Sequence, residues 1–257
     1  MNLFKRLYDY RELFKSNIKK EIRGKYKGSF LGVLWSFINP LLQVFVYSIV
    51  FSYVMRVQID NYLVYVVCGI IPWTFFTTAI NQGNVTIRTN SSIIKKVYFP
   101  REILPISVVA SGLVNFAISC LIILIFVIGS GLGLTWHIIF LPVIAILQTM
   151  LTLGIVFITS SINVYIKDLE YIVQFLLNMA FYATPILYNI EIFPISLRWV
   201  LNLNPLAHMV NAYRNIFMYH QTIALSSWVY MIVVSLLLLL IGYLIFNKLQ
   251  KGFAEEV

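Results

Sequence analysis

Apolar and polar positions run along this chain in blocks. Residues 1–28 interleave Lys and Arg with Tyr, Phe and Ile. Tyr10, Phe14, Ile18, Ile22, Tyr26 and Phe30 recur at every fourth position. A step of four overshoots the helical turn, so the stripe drifts by about 40° per step and one straight helix cannot keep all six on a narrow face. Gly24 and Gly28 offer a bend. The pattern predicts an amphipathic helix in the membrane interface to about residue 23, then an elbow. A solvated tail beside the membrane is the alternative. Six apolar spans follow, at about 30–55, 62–80, 103–128, 137–162, 171–188 and 226–247. About 20 apolar residues cross a bilayer core. Pro40, Pro72, Pro142 and Pro185 fall inside these spans, where membrane helices tolerate proline. The 189–225 connection also stays apolar, with Phe193, Leu197, Trp199, Val200, Leu201 and Leu203, and is broken by Pro194 and Pro205. It predicts two short helical pieces dipping into the membrane from outside; a seventh span is the alternative. The expected fold is an all-α integral membrane protein with six transmembrane helices. It divides into an interface helix and elbow, 1–28, and a six-span unit, 29–257.

Composition supports a membrane setting. The 257-residue chain is 60% hydrophobic and 11% charged, whereas soluble domains carry about 25% charged residues. Its mean hydropathy is +0.85. The N-terminus does not read as a cleavable signal peptide, because its charged region is long and no small-residue cleavage site follows a short apolar run. Cys68 and Cys120 lie within apolar stretches and read as small buried hydrophobes. The net charge of +9 sits beside the spans, which points to anionic lipid and not to nucleic acid. The arm, the 81–102 loop, the 163–170 loop and the C-terminus together hold 16 Lys/Arg, against Arg56, Arg198 and Arg214 on the other side. The positive-inside rule then puts both termini in the cytoplasm.

Motifs for catalysis are missing. The sequence has no G-x-x-x-x-G-K-[ST] phosphate loop, no G-x-S-x-G, no H-E-x-x-H and no C-x-x-C. His137, His208 and His220 lack ligand-like spacing, so no metal site is expected. No acid sits in the middle of a span, which disfavours ion coupling. A chain shaped like a transporter, without a nucleotide site or an ion site, takes its energy from a partner. The 88–101 loop, RTNSSIIKKVYFPR, is where a partner can grip. Ser91 and Ser92 are helix-cap candidates and Pro100 is a stop. Ile93, Ile94, Val97, Tyr98 and Phe99 would form an apolar docking surface, with packing against the membrane interface as the alternative. Two spans carry polar and aromatic stripes. Asn39, Gln43, Tyr47 and Phe51 recur in the first. Tyr171, Gln174, Phe175, Asn178, Phe181 and Tyr182 share a face of the fifth. Amides in a span need a hydrogen-bond partner or water. Aromatic rings beside amides suit sugars, whose faces are apolar and whose edges carry hydroxyls; helix–helix packing is the alternative.

Five stretches carry a family resemblance: KYKGSFLGVLWSFINPL (25–41), IIKKVYFPREILP (93–105), NVYIKDL (163–169), ATPILY (183–188) and LNPLAHMVNAYR (203–214). The chain resembles the membrane subunit of ABC-type polysaccharide exporters, which move O-antigen, teichoic acid or capsule. The close of the chain, Phe253-Ala254-Glu255-Glu256, is similar to the family's usual ending. The resemblance implies a homodimeric permease in the bacterial cytoplasmic membrane. Two separate ATPase subunits would bind ATP and Mg, so this chain would be no enzyme and hold no cofactor. The substrate would be a glycan on a polyprenyl pyrophosphate lipid. Residues 88–101 would be a coupling helix and 189–225 a pair of outer gate helices. Arg23, Lys25 and Lys27 would receive the pyrophosphate. Lys25 and Lys27 stand where the family often has Arg, keeping charge but losing the bidentate fork. Asn39, Gln43, Tyr47, Phe51, Tyr171, Phe175, Asn178 and Tyr182 would line the channel. An exporter permease for drugs or small lipids is the runner-up. An intramembrane lipid-processing enzyme would need more than Asp168 and Glu170.

Overall fold

Helices account for all the regular structure among the described residues, as expected where lipid leaves no partner for unpaired backbone groups. The computed structural model describes residues 8–24, 28, 30–54 and 59–256. Helix α1 is Arg11–Gly24. Helix α2, Trp35–Ile49, continues through a wider π turn over Val50–Val54. Helix α3 is Tyr62–Asn84; the short α4, Thr86–Thr89, and α5, Ser91–Lys96, follow it. Helices α6, Ile103–Gly129, and α7, Leu141–Tyr165, precede α8, Leu169–Tyr182. Beyond it lie α9, Ile195–Asn202, α10, Pro205–Arg214, α11, Leu225–Leu249, and the closing turn α12, Phe253–Glu256.

Four helical stretches are long and apolar enough to cross a membrane: Tyr62–Asn84, Ile103–Gly129, Trp136–Tyr165 and Leu225–Glu256. Their positions match the second, third, fourth and sixth expected spans. The first and fifth are shorter. In the first, the long apolar stretch is Phe37–Ser52. In the fifth, α8 has 14 residues and rises about 21 Å, short of the ~30 Å hydrocarbon core. Pro185 explains its end, since proline lacks an N–H and pushes the preceding residue out of helical geometry.

Helix α3 sits at the centre, with 78% of its most apolar window buried, against 22% for α11. On α11, Leu236, Leu237, Leu240 and Leu244 point outward, as suits contact with lipid. Helices α7 and α11 cross very closely. A Cβ on Gly154 would lie 2.5 Å from the Leu238 carbonyl, and one on Gly242 would overlap the Gly154 carbonyl oxygen. Only glycine at both positions permits that approach. A second core gathers at the end of the molecule where α5 and α12 meet. Ile87, Ile94, Phe99, Leu104, Phe157, Val164, Phe246 and Phe253 are buried together there.

Candidate functional site

Helix α1 is amphipathic as expected. Tyr10, Phe14, Ile18 and Ile22 are half-buried, while Arg11, Lys15, Lys19 and Arg23 are exposed. Tyr10 and Leu13 pack on the second core. Beyond the helix, Phe30 is wholly exposed, so the stripe ends before it. Lys20 donates to the Asn90 side chain at 2.7 Å, pinning α1 to the start of α5. Lys25 and Lys27 lie outside the described residues.

The polar stripe of the first span divides. Asn39 and Gln43 face a cavity of about 570 Å³ between α2, α3 and α6. Thr74, Thr78, Gln82, Asn115 and Ser119 line the other walls, with Trp35, Phe75 and Phe116. Tyr47 instead meets Phe181 of α8, ring centroids 5.7 Å apart, and Phe181 meets Trp73 at 5.6 Å. Phe51 packs half-buried on the main core. The α8 stripe stays open: Tyr171, Phe175 and Tyr182 remain 72%, 60% and 70% exposed, and Asn178 is exposed beside them. The structure therefore does not gather the eight stripe residues into one pocket of a single chain. The wall residues on α3 and α6 were missed in the sequence, although Thr74, Thr78 and Gln82 share the same i+4 spacing, as do Asn115 and Ser119.

A break follows α8, and every carbonyl through it is satisfied. Tyr188 Oη donates to Tyr182 O at 2.6 Å, and Asn204 Nδ2 to Ala183 O at 3.2 Å. The Ile186 amide donates to Thr184 O at 2.7 Å. Arg214 donates to both Pro185 O and Ile186 O, each at 2.7 Å. Tyr62 Oη donates to Leu187 O at 2.7 Å, and Tyr65 Oη to Tyr188 O at 2.6 Å. Arg214 is only 1% exposed, and its guanidinium lies 3.4 Å from the centre of the Tyr65 ring. A guanidinium stays charged and carries donors in a fixed fork. Two adjacent carbonyls plus an aromatic face therefore suit it better than lysine. In the sequence Arg214 counts as an outward-side charge only; nothing local marks it as a clamp.

The docking loop also divides. Ile93, Val97 and Tyr98 are exposed, Tyr98 at 93%. Ile94 and Phe99 are each 6% exposed and belong to the second core, so they do not form part of an open surface. The reason is helical phase: α5 presents Ile93 outward and Ile94 inward, and the extended turn at Val97 returns Phe99 to the core. Phe253 closes that core from the C-terminal side, and Arg101 donates to the Gln250 carbonyl. Arg88 donates to Asn163 at 3.0 Å and lies 3.7 Å from Glu170, tying α4 to α7 and α8.

No group of three or more His, Cys, Asp or Glu side chains forms a metal-ligating cluster among the described residues. The ABC-2 type transporter family profile matches residues 12–218. The chain is 36% identical to the O-antigen export system permease protein RfbA of Myxococcus xanthus over 259 positions, covering the whole of both chains. It is 37% identical to the O-antigen export system permease protein RfbA of Klebsiella pneumoniae over 238 positions, covering 92% of this chain and 91% of that one.

Proposed function

This chain belongs to the ABC-2 type transporter family, and we propose that it is the permease subunit of an ATP-driven exporter of polyprenyl-pyrophosphate-linked polysaccharide. The cargo would be O-antigen or a related glycan such as teichoic acid or capsule. The observation that carries this reading is the end-to-end similarity to O-antigen export permeases, at 36% identity over both whole chains.

Two copies form the path, and two ATPase subunits, binding ATP and Mg, drive it from the cytoplasmic side. Each copy divides at about residue 28 into an interface helix and six spans, with α2 and α8 as the short first and fifth spans. Both termini face the cytoplasm, in line with the Lys/Arg count. The exposed aromatic face of α8, with Tyr171, Phe175, Asn178 and Tyr182, and the nearby Tyr47 and Phe51 of the first span, line the path. The short helices α9 and α10 act as gate pieces at its outer mouth. Arg23, Lys25 and Lys27 attract the pyrophosphate of the carrier lipid. ATP-driven motion enters through residues 88–101, where Ile93, Val97 and Tyr98 offer an exposed apolar face; Ile94 and Phe99 brace that face from beneath.

A bacterial strain lacking its own O-antigen permease, given this chain with its ATPase partner, tests the reading. Restored surface glycan is expected. Normal membrane insertion with no surface glycan would overturn it.

A further inference from the structure

The intramembrane cavity between α2, α3 and α6 is lined by four amides, Asn39, Gln43, Gln82 and Asn115, and by the hydroxyls of Thr74, Thr78 and Ser119. None of its lining residues is charged. Asn39 and Gln43 are exposed and Gln82 and Asn115 half-buried, so all four amides reach the open space of the cavity. Elsewhere in the membrane-spanning part an amide is used for structure. Gln148 is buried, donates to Pro72 O at 2.8 Å and accepts from Tyr213 Oη at 2.9 Å. The contrast separates an amide that braces the fold from four that face open space. Polar side chains inside a span carry a cost unless something meets them.

The chemistry of the walls selects the occupant. Each amide brings two donors and one acceptor, and each hydroxyl brings both. Trp35, Phe75 and Phe116 add apolar faces. That combination matches a neutral sugar ring, with a hydroxyl edge and a C–H face. It does not match a diphosphate, which needs cations. The volume of about 570 Å³ falls in the ~300–1,000 Å³ range of small-ligand sites. A smaller cavity of about 270 Å³ shares Gln82 and reaches Lys20, Glu21 and Gly24 of α1. A polar line thus runs from the basic interface helix into the depth of the spans.

We propose that this cavity seats the neutral sugar nearest the lipid carrier, within one protomer and apart from the path along α8. The proposal rests on the glycan-export reading. The full-length protein in nanodiscs is titrated with two probes: polyprenyl pyrophosphate, and the same lipid bearing one hexose. The parent protein is expected to bind the hexose-bearing lipid about tenfold more tightly, a factor equal to ~1.4 kcal/mol. The double variant Gln43→Leu, Asn115→Leu should bind both lipids with the affinity of the sugar-free one. An unchanged thermal unfolding midpoint confirms its fold, and Thr78→Val, a smaller change, should give a partial loss of preference. Equal binding of the two lipids by the parent, or a tenfold preference kept by both variants, overturns the assignment. Surface glycan in cells separates the two ideas. Absence of export by the parent chain sinks the glycan reading itself. Export by the parent with preference intact in the variants sinks only the cavity assignment.

Discussion

Replacing Arg214 with Leu tests how the break after α8 is held. The guanidinium donates to Pro185 O and Ile186 O at 2.7 Å each and covers the Tyr65 ring. Removing it leaves two buried carbonyls unpaired, at about 1–3 kcal/mol each. It also removes a desolvated cation–π contact of about 2 kcal/mol. Against this, a buried charge no longer has to be desolvated, and that relief offsets part of the loss. The net expectation is roughly 2–6 kcal/mol of destabilisation, concentrated on residues 183–189. Arg214→Lys keeps the charge but loses the fork, so one carbonyl is left over and about half the loss is expected. Unfolding in mixed detergent micelles measures the global effect. The local effect is read by placing a single cysteine at Leu187, in a background where Cys68 and Cys120 are replaced by Ala, and labelling with a water-soluble maleimide. Leu187 is 5% exposed, so the parent should label slowly and the Arg214→Leu variant quickly. An unfolding free energy within about 0.5 kcal/mol of the parent, together with unchanged labelling, would refute the clamp.

Other outcomes follow from the same packing. Gly242→Leu should block the close crossing of α7 and α11 and cost at least the ~1–3 kcal/mol of an overpacked core, seen as a lower unfolding midpoint and poorer recovery from the membrane. Phe253→Ala should remove a fully buried ring from the second core and cost about 3–5 kcal/mol, although the residue stands close to the end of the chain. Within the docking loop, Ile94→Ala should destabilise by about 2–4 kcal/mol, whereas Tyr98→Ala should leave stability within ~0.5 kcal/mol. Val97→Asp with Tyr98→Asp should abolish surface glycan while leaving insertion and stability intact; full export by that variant would remove the loop from the coupling route.

Much of the architecture was legible in the order of side chains. An apolar run bounded by charge has one physical solution in lipid, a helix with all its backbone bonds internal. That is why α3, α6, α7 and α11 fall where the hydropathy blocks place them. The amphipathic α1 follows from its four-residue interval. Family membership was equally legible, because motifs in order along a chain need no coordinates. What the sequence could not supply was which neighbours share a face. Ile93 and Ile94 are adjacent and equally apolar, but helical phase and the arrival of Phe253 from the far end of the chain bury only the second. Asn39 and Gln43 continue into Tyr47 and Phe51 as one stripe in sequence. The crossing of α2 over α3 and α6 sends the amides to a cavity and Tyr47 to Phe181. Arg214 reads as a stray outward charge, and only the fold brings it to the carbonyls of a break 28 and 29 residues earlier. Local patterns fix periodicity and environment, since these depend on a few consecutive residues. Contacts between distant segments depend on helix crossing and rotation, and these are set by the packing of the whole bundle.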